Sequence, residues 1–205
     1  MILTVGDSFT FGEELPDRLQ QAWPYLLGKE KQTTVHNLGE SGSSNDGIFR
    51  KVIEQTTKIK FELVVIGWTS PVRFEVWSEL INKPVTIMPD SKAGLPWTVD
   101  YYRYSHNDQF CYLRWFNQIL VMQGYLKSIC QPYLFINIDS TTTFFNKYKT
   151  NFEYIWQHYD IKNYIGWPHQ GMIQLAGDCP LGPGGHPLAL GHERIAHEIT
   201  TYLRT

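Results

Sequence analysis

The chain has 205 residues, of which 42% are hydrophobic and 19% are charged. This length and composition are typical of one folded α/β domain and not of a disordered chain. The formal net charge is -2 and no basic run is present, which argues against a nucleic-acid-binding surface. No apolar stretch is long enough to cross a membrane.

Cysteine usage and the start of the chain predict the compartment. Cys111, Cys130 and Cys179 show no CxxC spacing and leave one thiol unpaired, which favours reduced cysteines. The first predicted strand starts at residue 2, so this chain has no room for a signal peptide. We therefore expect a cytoplasmic protein.

The first third of the chain alternates between strand and helix patterns. Apolar runs at residues 2–5, 33–37 and 61–67 predict strands, and apolar residues recur at helical spacing over 15–27 and 48–53. Strand, helix, strand, helix, strand in this order predicts a parallel sheet with right-handed crossovers. The fold class is therefore α/β.

Local signals suggest where these helices begin and end. Gly28 is a plausible stop for the first helical region, and Pro24 is expected to kink or restart it. Ser44 or Asn45 is expected to cap the helix that follows the second strand.

Residues 68–108 interrupt the alternation with four prolines and many aromatic residues. A segment of this length inside a compact domain is often a lid or a binding loop. We therefore expect one domain over residues 1–205 with an aromatic and proline-rich insertion around 68–108.

The second half of the chain carries three clear elements. The pattern predicts a long helix over residues 110–126, a fourth parallel strand over 133–138 and a final helix over about 188–203. Residues 139–185 are poorly patterned, with a candidate short helix near 151–157. His192 and His197 do not share a helical face as a zinc pair would, and a polar helix face is the simpler interpretation.

The turn Gly6-Asp7-Ser8 follows the first strand directly. A strand, a sharp turn and a helix can hold a nucleophilic serine at the carboxyl edge of a parallel sheet. The same tripeptide is also an ordinary turn or helix cap, because Asp and Ser are common in both. On its own the tripeptide favours the ordinary turn, and it is the rest of the chain that favours the nucleophile.

Three further stretches fall where α/β proteins bind ligands: the glycine-rich loop at residues 39–47, Gly67-Trp68-Thr69-Ser70, and Gly185-His186-Pro187. In order and spacing, the four blocks resemble those of the SGNH hydrolases, also called GDSL esterases. The resemblance covers residues 6–196.

The resemblance implies a three-layer α/β/α, flavodoxin-like fold and hydrolysis of an ester through a serine acyl-enzyme. Ser8 would be the nucleophile, and His186 would take its proton and later protonate the leaving alcohol. The backbone N–H groups of Ser8 and Gly42 would point into the oxyanion hole. No metal or organic cofactor is implied.

The chain departs from the family pattern at two positions. Thr69 stands where the family has an asparagine whose amide completes the oxyanion hole, so its hydroxyl is the candidate replacement. Pro183 stands where the family has the aspartate that orients the histidine. Asp178 is the nearest carboxylate upstream and could loop back, and a backbone carbonyl could also serve.

These observations predict an esterase that acts on a short acyl group such as acetyl, with a carbohydrate that stacks on the aromatic insertion as the candidate carrier. The two departures favour an alternative, a catalytically impaired member of the fold that binds a glycan or a protein. An acyltransferase is the third interpretation, since an acyl-enzyme can pass its acyl group to an alcohol as well as to water.

Overall fold

The computed structural model describes residues 1–89 and 97–204. Its strands are Ile2–Val5 (β1), Val35–Asn37 (β2), Leu63–Trp68 (β3), Phe74–Ser78 (β4), Lys83–Ile87 (β5), Tyr133–Asn137 (β6) and Tyr164–Ile165 (β7). Five of them form one sheet in the order β2-β1-β3-β6-β7, and every pairing in it is parallel. The predicted parallel sheet is thereby confirmed.

The helices lie between and after these strands. They are Ser8–Phe11 (α1), Arg18–Gln21 (α2), Trp23–Glu30 (α3), Asn45–Thr56 (α4), Trp97–Asp100 (α5), Asp108–Ser128 (α6), Thr142–Tyr148 (α7), Glu153–Trp156 (α8), Met172–Ala176 (α9) and Ala189–Tyr202 (α10). A π-helical turn over Tyr101–Ser105 and a 3₁₀ turn over Ile161–Asn163 complete the set.

Alternate residues of the strands contribute side chains to two separate hydrophobic cores, one on each face of the sheet. Val64 and Ile66 of β3 join the core formed with α4, α6, α7 and α8. Val65 of the same strand joins the core formed with α3, α9 and α10. Side chains on successive strand positions point to opposite faces, so helices on both faces produce the predicted three-layer α/β/α architecture.

The helix cap at the start of α4 is the predicted one. Ser44 Oγ accepts a hydrogen bond from the Gly47 backbone N–H at 3.1 Å. Pro24 lies in the first turn of α3 and so restarts the helical region after α2.

Gly28 was expected to end the helix, and this was wrong, because α3 continues to Glu30. A Cβ at Gly28 would lie 2.5 Å from the Val35 side chain and 2.9 Å from the Thr33 carbonyl oxygen. The glycine therefore lets α3 pack closely on the chain that enters β2, and it does not mark a stop.

The insertion after β3 carries an antiparallel hairpin, β4–β5, followed by α5 and the π-helical turn. Residues 90–96, which belong to the predicted insertion, lie outside the described residues. Within the described residues, no helix is both long and apolar enough to span a bilayer.

Candidate active site

The turn after β1 holds Ser8 at the carboxyl edge of the sheet, between the ends of β2 and β3. Asp7 caps the short helix α1, and its Oδ1 accepts a hydrogen bond from the Phe9 backbone N–H at 3.1 Å. Ser8 is the first residue of α1 and is almost fully buried. The sequence places the serine here because β1 is a short, buried, mostly apolar strand that ends at Val5, directly before the Gly6 turn.

The glycine-rich loop after β2 lies against this turn. The Glu40 backbone N–H donates to the Gly6 carbonyl oxygen at 3.1 Å. Gly42 has φ +76, in the left-handed region that favours glycine. The loop therefore brings the second predicted oxyanion donor, Gly42, to the edge of the sheet where Ser8 lies.

His186 stands on a tight hairpin just before α10. The Gly182 backbone N–H donates to the His186 carbonyl oxygen at 2.9 Å, and the Gly185 N–H donates to the Gly182 carbonyl oxygen at 2.9 Å. Pro183 is the second residue of this turn, a position that favours proline's fixed φ. The residue that replaces the family's aspartate thus shapes the loop that carries His186.

Glu14 places a carboxylate beside His186, whereas Pro183 has no carboxylate. Its Oε2 lies 2.8 Å from His186 Nδ1 and accepts from the His186 backbone N–H at 3.2 Å, while its Oε1 accepts from the Gly184 N–H at 2.7 Å. An ionised carboxylate only accepts hydrogen bonds, so Nδ1 carries the proton and Nε2 is left as the basic nitrogen.

The electrostatics of this pair agree with its geometry. The hydrogen bond from the Gly184 backbone, followed by that from His186, holds the pKa of Glu14 below its ordinary value. Glu14 is therefore ionised at neutral pH, in the state that can orient an imidazole.

The His186 loop is wrapped around the Glu14 carboxylate. A Cβ at Gly182 would lie 2.6 Å from the Glu14 carboxyl carbon, and a Cβ at Gly184 would lie 3.0 Å from Oε2. Glu14 itself has φ 65, an uncommon conformation for a residue other than glycine. Such a backbone conformation, held by the surrounding contacts, is typical of functional positions.

Asp178 does not occupy the position that the sequence suggested for it. Its carboxylate pairs with Arg194 at 2.8 Å, and its side chain is 93% exposed. The hairpin that follows directs His186 towards Glu14 instead. The carboxylate that contacts His186 Nδ1 is therefore that of Glu14 and not that of Asp178.

His186 also contacts the segment that carries the serine. Its ring packs on Phe9, the residue after Ser8, with centroids 5.4 Å apart. Among the hydrogen bonds of residues 1–89 and 97–204, none joins Ser8 Oγ to His186. Nucleophile–base hydrogen bonds are often long in ligand-free sites and tighten when substrate binds.

Thr69 follows β3, as expected, but its hydroxyl is hydrogen-bonded to the side chains of Asp7 and Arg73. Oγ1 donates to Asp7 Oδ2 at 2.5 Å and accepts from Arg73 Nη1 at 2.9 Å. A hydroxyl has one proton, so the bond to Asp7 uses the donor that was predicted for the oxyanion hole.

Asn45 holds the same residue through its backbone. Its Oδ1 accepts from the Thr69 N–H at 2.9 Å, and its Nδ2 donates to the Thr69 carbonyl oxygen at 3.0 Å. The sequence presented Asn45 only as a possible helix cap, and nothing local to it signals this long-range contact.

A cavity of about 260 Å³ lies beside Thr69, at the carboxyl ends of β3 and β6. Aromatic and apolar side chains such as Tyr112 and Ile138 line it together with Asp139 and Ser140. Neither Ser8 nor His186 is among its lining residues.

The histidines of α10 are arranged differently from the expected polar face. His192 is fully buried, and its Nδ1 accepts from the Trp23 backbone N–H at 3.2 Å. In the described part of the chain, no three His, Cys, Asp or Glu side chains are grouped so that they could hold a metal ion.

Comparison with known proteins gives structural relatives only. No family model matches the sequence, and no curated protein matches it. A lipolytic protein of the G-D-S-L family from Veillonella parvula matches over 100% of this chain and 98% of its own, with 13% identity and a TM-score of 0.55.

Two esterases show a similar likeness. The psychrotrophic esterase EstA from Pseudoalteromonas sp. covers 99% of this chain and 96% of its own, with 12% identity and a TM-score of 0.56. An acetyl xylan esterase, Est2A, from Butyrivibrio proteoclasticus covers 99% of this chain and 62% of its own, with 10% identity and a TM-score of 0.55.

The likeness extends over the whole chain at low sequence identity, so it bears on the fold. It agrees with the parallel five-stranded sheet and the helices on both of its faces. The chain therefore has the fold of the SGNH, or GDSL, hydrolases.

Proposed function

We propose that this protein is a serine hydrolase that cleaves a carboxylic ester through an acyl-enzyme on Ser8. The observation that carries the proposal is the 2.8 Å contact between Glu14 Oε2 and His186 Nδ1. It supplies an orienting carboxylate where the sequence motif lacks one. A serine, a histidine and a carboxylate in these roles form a known catalytic unit that recurs on unrelated folds.

In the first half of the reaction, Ser8 Oγ attacks the ester carbonyl carbon while its proton moves to His186 Nε2. The carbonyl oxygen becomes an oxyanion that the backbone N–H groups of Ser8 and Gly42 stabilise. The tetrahedral intermediate then breaks its bond to the alkoxy group, which takes the proton from Nε2 and leaves as the alcohol.

In the second half, water attacks the acyl carbon and gives one proton to Nε2. The new tetrahedral intermediate expels Ser8 Oγ, which recovers that proton, and the carboxylic acid is released. Glu14 stays ionised throughout and stabilises the imidazolium that forms in each half. Its several hydrogen bonds keep it in that state.

The Pro183 substitution was one of the two reasons to consider a catalytically impaired protein, together with Thr69. The Glu14 carboxylate removes that reason, because a triad needs its acid at Nδ1 and not at a given place in the sequence.

For the substrate, we propose a short acyl group, such as acetyl, carried by a carbohydrate. The cavity beside Thr69 is not lined by Ser8 or His186, so it bears on the carrier and not on the size of the acyl group. Its polar residues Asp139 and Ser140 suit the hydroxyl groups of a sugar. Exposed rings in the insertion, such as Trp77 and Tyr104, offer stacking surfaces, and one structural relative is an acetyl xylan esterase.

The experiment is labelling with a fluorophosphonate, followed by intact-mass analysis and peptide mapping. We expect one adduct, on Ser8, in the wild-type protein. Ser8→Ala should give none, and His186→Ala should react at least a hundredfold more slowly because the general base is lost. Release of acetate from acetylated xylan, compared with hydrolysis of p-nitrophenyl esters of increasing acyl length, then tests the substrate class.

Two results would contradict parts of this proposal. A folded wild-type protein that gives no adduct overturns the serine hydrolase and favours the binding module. Preference for long acyl chains would leave the mechanism standing and overturn the short acyl group.

A further inference from the structure

Arg73 lies where three segments of the candidate site meet. Its Nη1 is 3.2 Å from Asp7 Oδ2, 2.9 Å from Thr69 Oγ1 and 3.4 Å from the Ser43 carbonyl oxygen. Asp7 precedes the nucleophile, Ser43 follows Gly42, and Thr69 stands at the asparagine position of the family. One nitrogen of one side chain thus contacts a neighbour of each oxyanion donor.

The Thr69 hydroxyl is not free to act as a third oxyanion donor. The Thr69 hydroxyl gives its proton to Asp7 at 2.5 Å, so it presents only lone pairs to other groups. The lone pair that faces Arg73 is taken by Nη1. The backbone N–H groups of Ser8 and Gly42 would otherwise have to stabilise the oxyanion without a third donor.

Several N–H groups of the Arg73 guanidinium are not used in these contacts. A guanidinium carries five N–H groups, and Nη1 accounts for two of them. Nε and Nη2 of Arg73 form no hydrogen bond to residues 1–89 or 97–204. The side chain is 22% exposed, so it is partly open to solvent.

Arg73 is also held in place before any substrate binds. Its backbone N–H donates to the Ser70 carbonyl oxygen at 3.2 Å, which closes the turn after β3. Arg114 Nη2 then donates to the carbonyl oxygens of Pro71 at 3.2 Å and of Arg73 at 2.9 Å. A donor fixed in advance stabilises developing charge without a cost of reorganisation.

From this juxtaposition, and resting on the proposed function, we propose that Arg73 is a catalytic residue that completes the oxyanion hole in place of the asparagine side chain. Thr69 then acts as a positioning residue that links Arg73 to Asp7. The substitution of the asparagine is thereby compensated by a residue four positions further along the chain.

The test compares kcat and KM for p-nitrophenyl acetate in the wild type, Arg73→Gln and Arg73→Lys. We expect Arg73→Gln to lower kcat about a hundredfold to a thousandfold with little change in KM, because the lost interaction belongs to the transition state. Arg73→Lys keeps the positive charge but loses the planar set of N–H donors of the guanidinium. Its kcat should therefore lie between the kcat of the wild type and that of Arg73→Gln. Arg50→Gln is the matched control, since it breaks the nearby Arg50–Glu75 ion pair and should leave kcat unchanged.

A second measurement covers the case in which Arg73 variants fold poorly or the wild type shows no turnover. Methylphosphonate, a tetrahedral anion, is titrated by calorimetry into Ser8→Ala and into Ser8→Ala/Arg73→Lys. We expect the lysine to weaken binding at least tenfold, because a guanidinium binds oxyanions through paired donors.

The two proposals fail in different ways. An active enzyme whose kcat is unchanged in Arg73→Gln overturns the role of Arg73 and leaves the hydrolase intact. A protein that gives no Ser8 adduct overturns the hydrolase, and equal anion binding in both Ser8→Ala proteins then overturns the Arg73 site as well.

Discussion

Glu14 and His186 are 172 positions apart in the sequence, yet Glu14 Oε2 lies 2.8 Å from His186 Nδ1. The carboxylate comes from the turn after α1, the helix that begins at Ser8, and the histidine comes from the hairpin before the last helix. The contact joins the first and last blocks of the site directly. It also fixes which imidazole nitrogen can act as a base.

Glu14→Gln should therefore impair catalysis while leaving the fold intact. A glutamine can still contact the loop, but it no longer requires the proton on Nδ1 and cannot stabilise the imidazolium. We expect kcat for p-nitrophenyl acetate to fall about a hundredfold to ten-thousandfold, the upper end being the loss seen when the acid of a serine protease is neutralised. KM should change little.

Asp178→Asn is the matched control for this substitution. It removes a carboxylate that lies close to His186 along the chain, but that carboxylate is exposed and paired with Arg194. Its kcat should equal that of the wild type. A large loss in Asp178→Asn, together with no loss in Glu14→Gln, would restore the assignment suggested by the sequence.

The sequence predicts the parts of the fold that depend on neighbouring residues. The largely apolar runs of β1, β3 and β6 mark buried strands, and the turn at Gly6 together with the later blocks identifies Ser8 as a candidate nucleophile. β7 has two residues, Tyr164–Ile165, which is too short for any periodicity to show. Prediction succeeds for strands of several residues, where a pattern can be recognised, and fails for a strand of two residues.

The carboxylate partner of His186 was missed for a different reason. A search for it along the chain finds Asp178, because proximity in sequence is the only measure that a sequence offers. Glu14 reaches His186 only after α10 packs beside α3 and the hairpin folds back over α1. The signal that could have helped is the run of glycines around Pro183, which leaves space for a partner side chain.

Those glycines give a second prediction. A Cβ at Gly182 would lie 2.6 Å from the Glu14 carboxyl carbon, so Gly182→Ala should push the carboxylate away from His186. We expect kcat to fall about tenfold or more, since a displacement near 1 Å in a catalytic group is costly. In the Glu14→Gln background, the same substitution should have much less effect, because the two changes act through one contact.

Gly185→Asn separates this effect from a general disturbance of the hairpin. Gly185 has φ +82, which asparagine tolerates better than most residues, and no atom lies within 4 Å of the position that a Cβ would take there. Its kcat should stay close to that of the wild type. If Gly185→Asn were as damaging as Gly182→Ala, the loop backbone and not the Glu14 contact would be the cause.

His192 makes the stability of the fold depend on pH. The side chain is fully buried on α10, and desolvation, with a smaller contribution from the charge of His186, lowers the pKa of His192 to about 4. In the unfolded chain, a histidine has a pKa of about 6.5. Between these values the unfolded state binds a proton that the folded state does not, so the free energy of unfolding falls as the pH drops.

The size and measurement of this effect follow from the two pKa values. Their separation corresponds to about 3 kcal/mol, lost progressively between about pH 6.5 and 4. Urea unfolding at pH 7 and at pH 4.5 should show most of this loss in the wild type.

His192→Gln, which can still accept a hydrogen bond from the Trp23 N–H, should lose correspondingly less stability on acidification. His158→Gln, at an exposed position, serves as the control and should follow the wild type. Equal acid sensitivity in His192→Gln and the wild type would mean that other groups, such as paired carboxylates, govern acid unfolding.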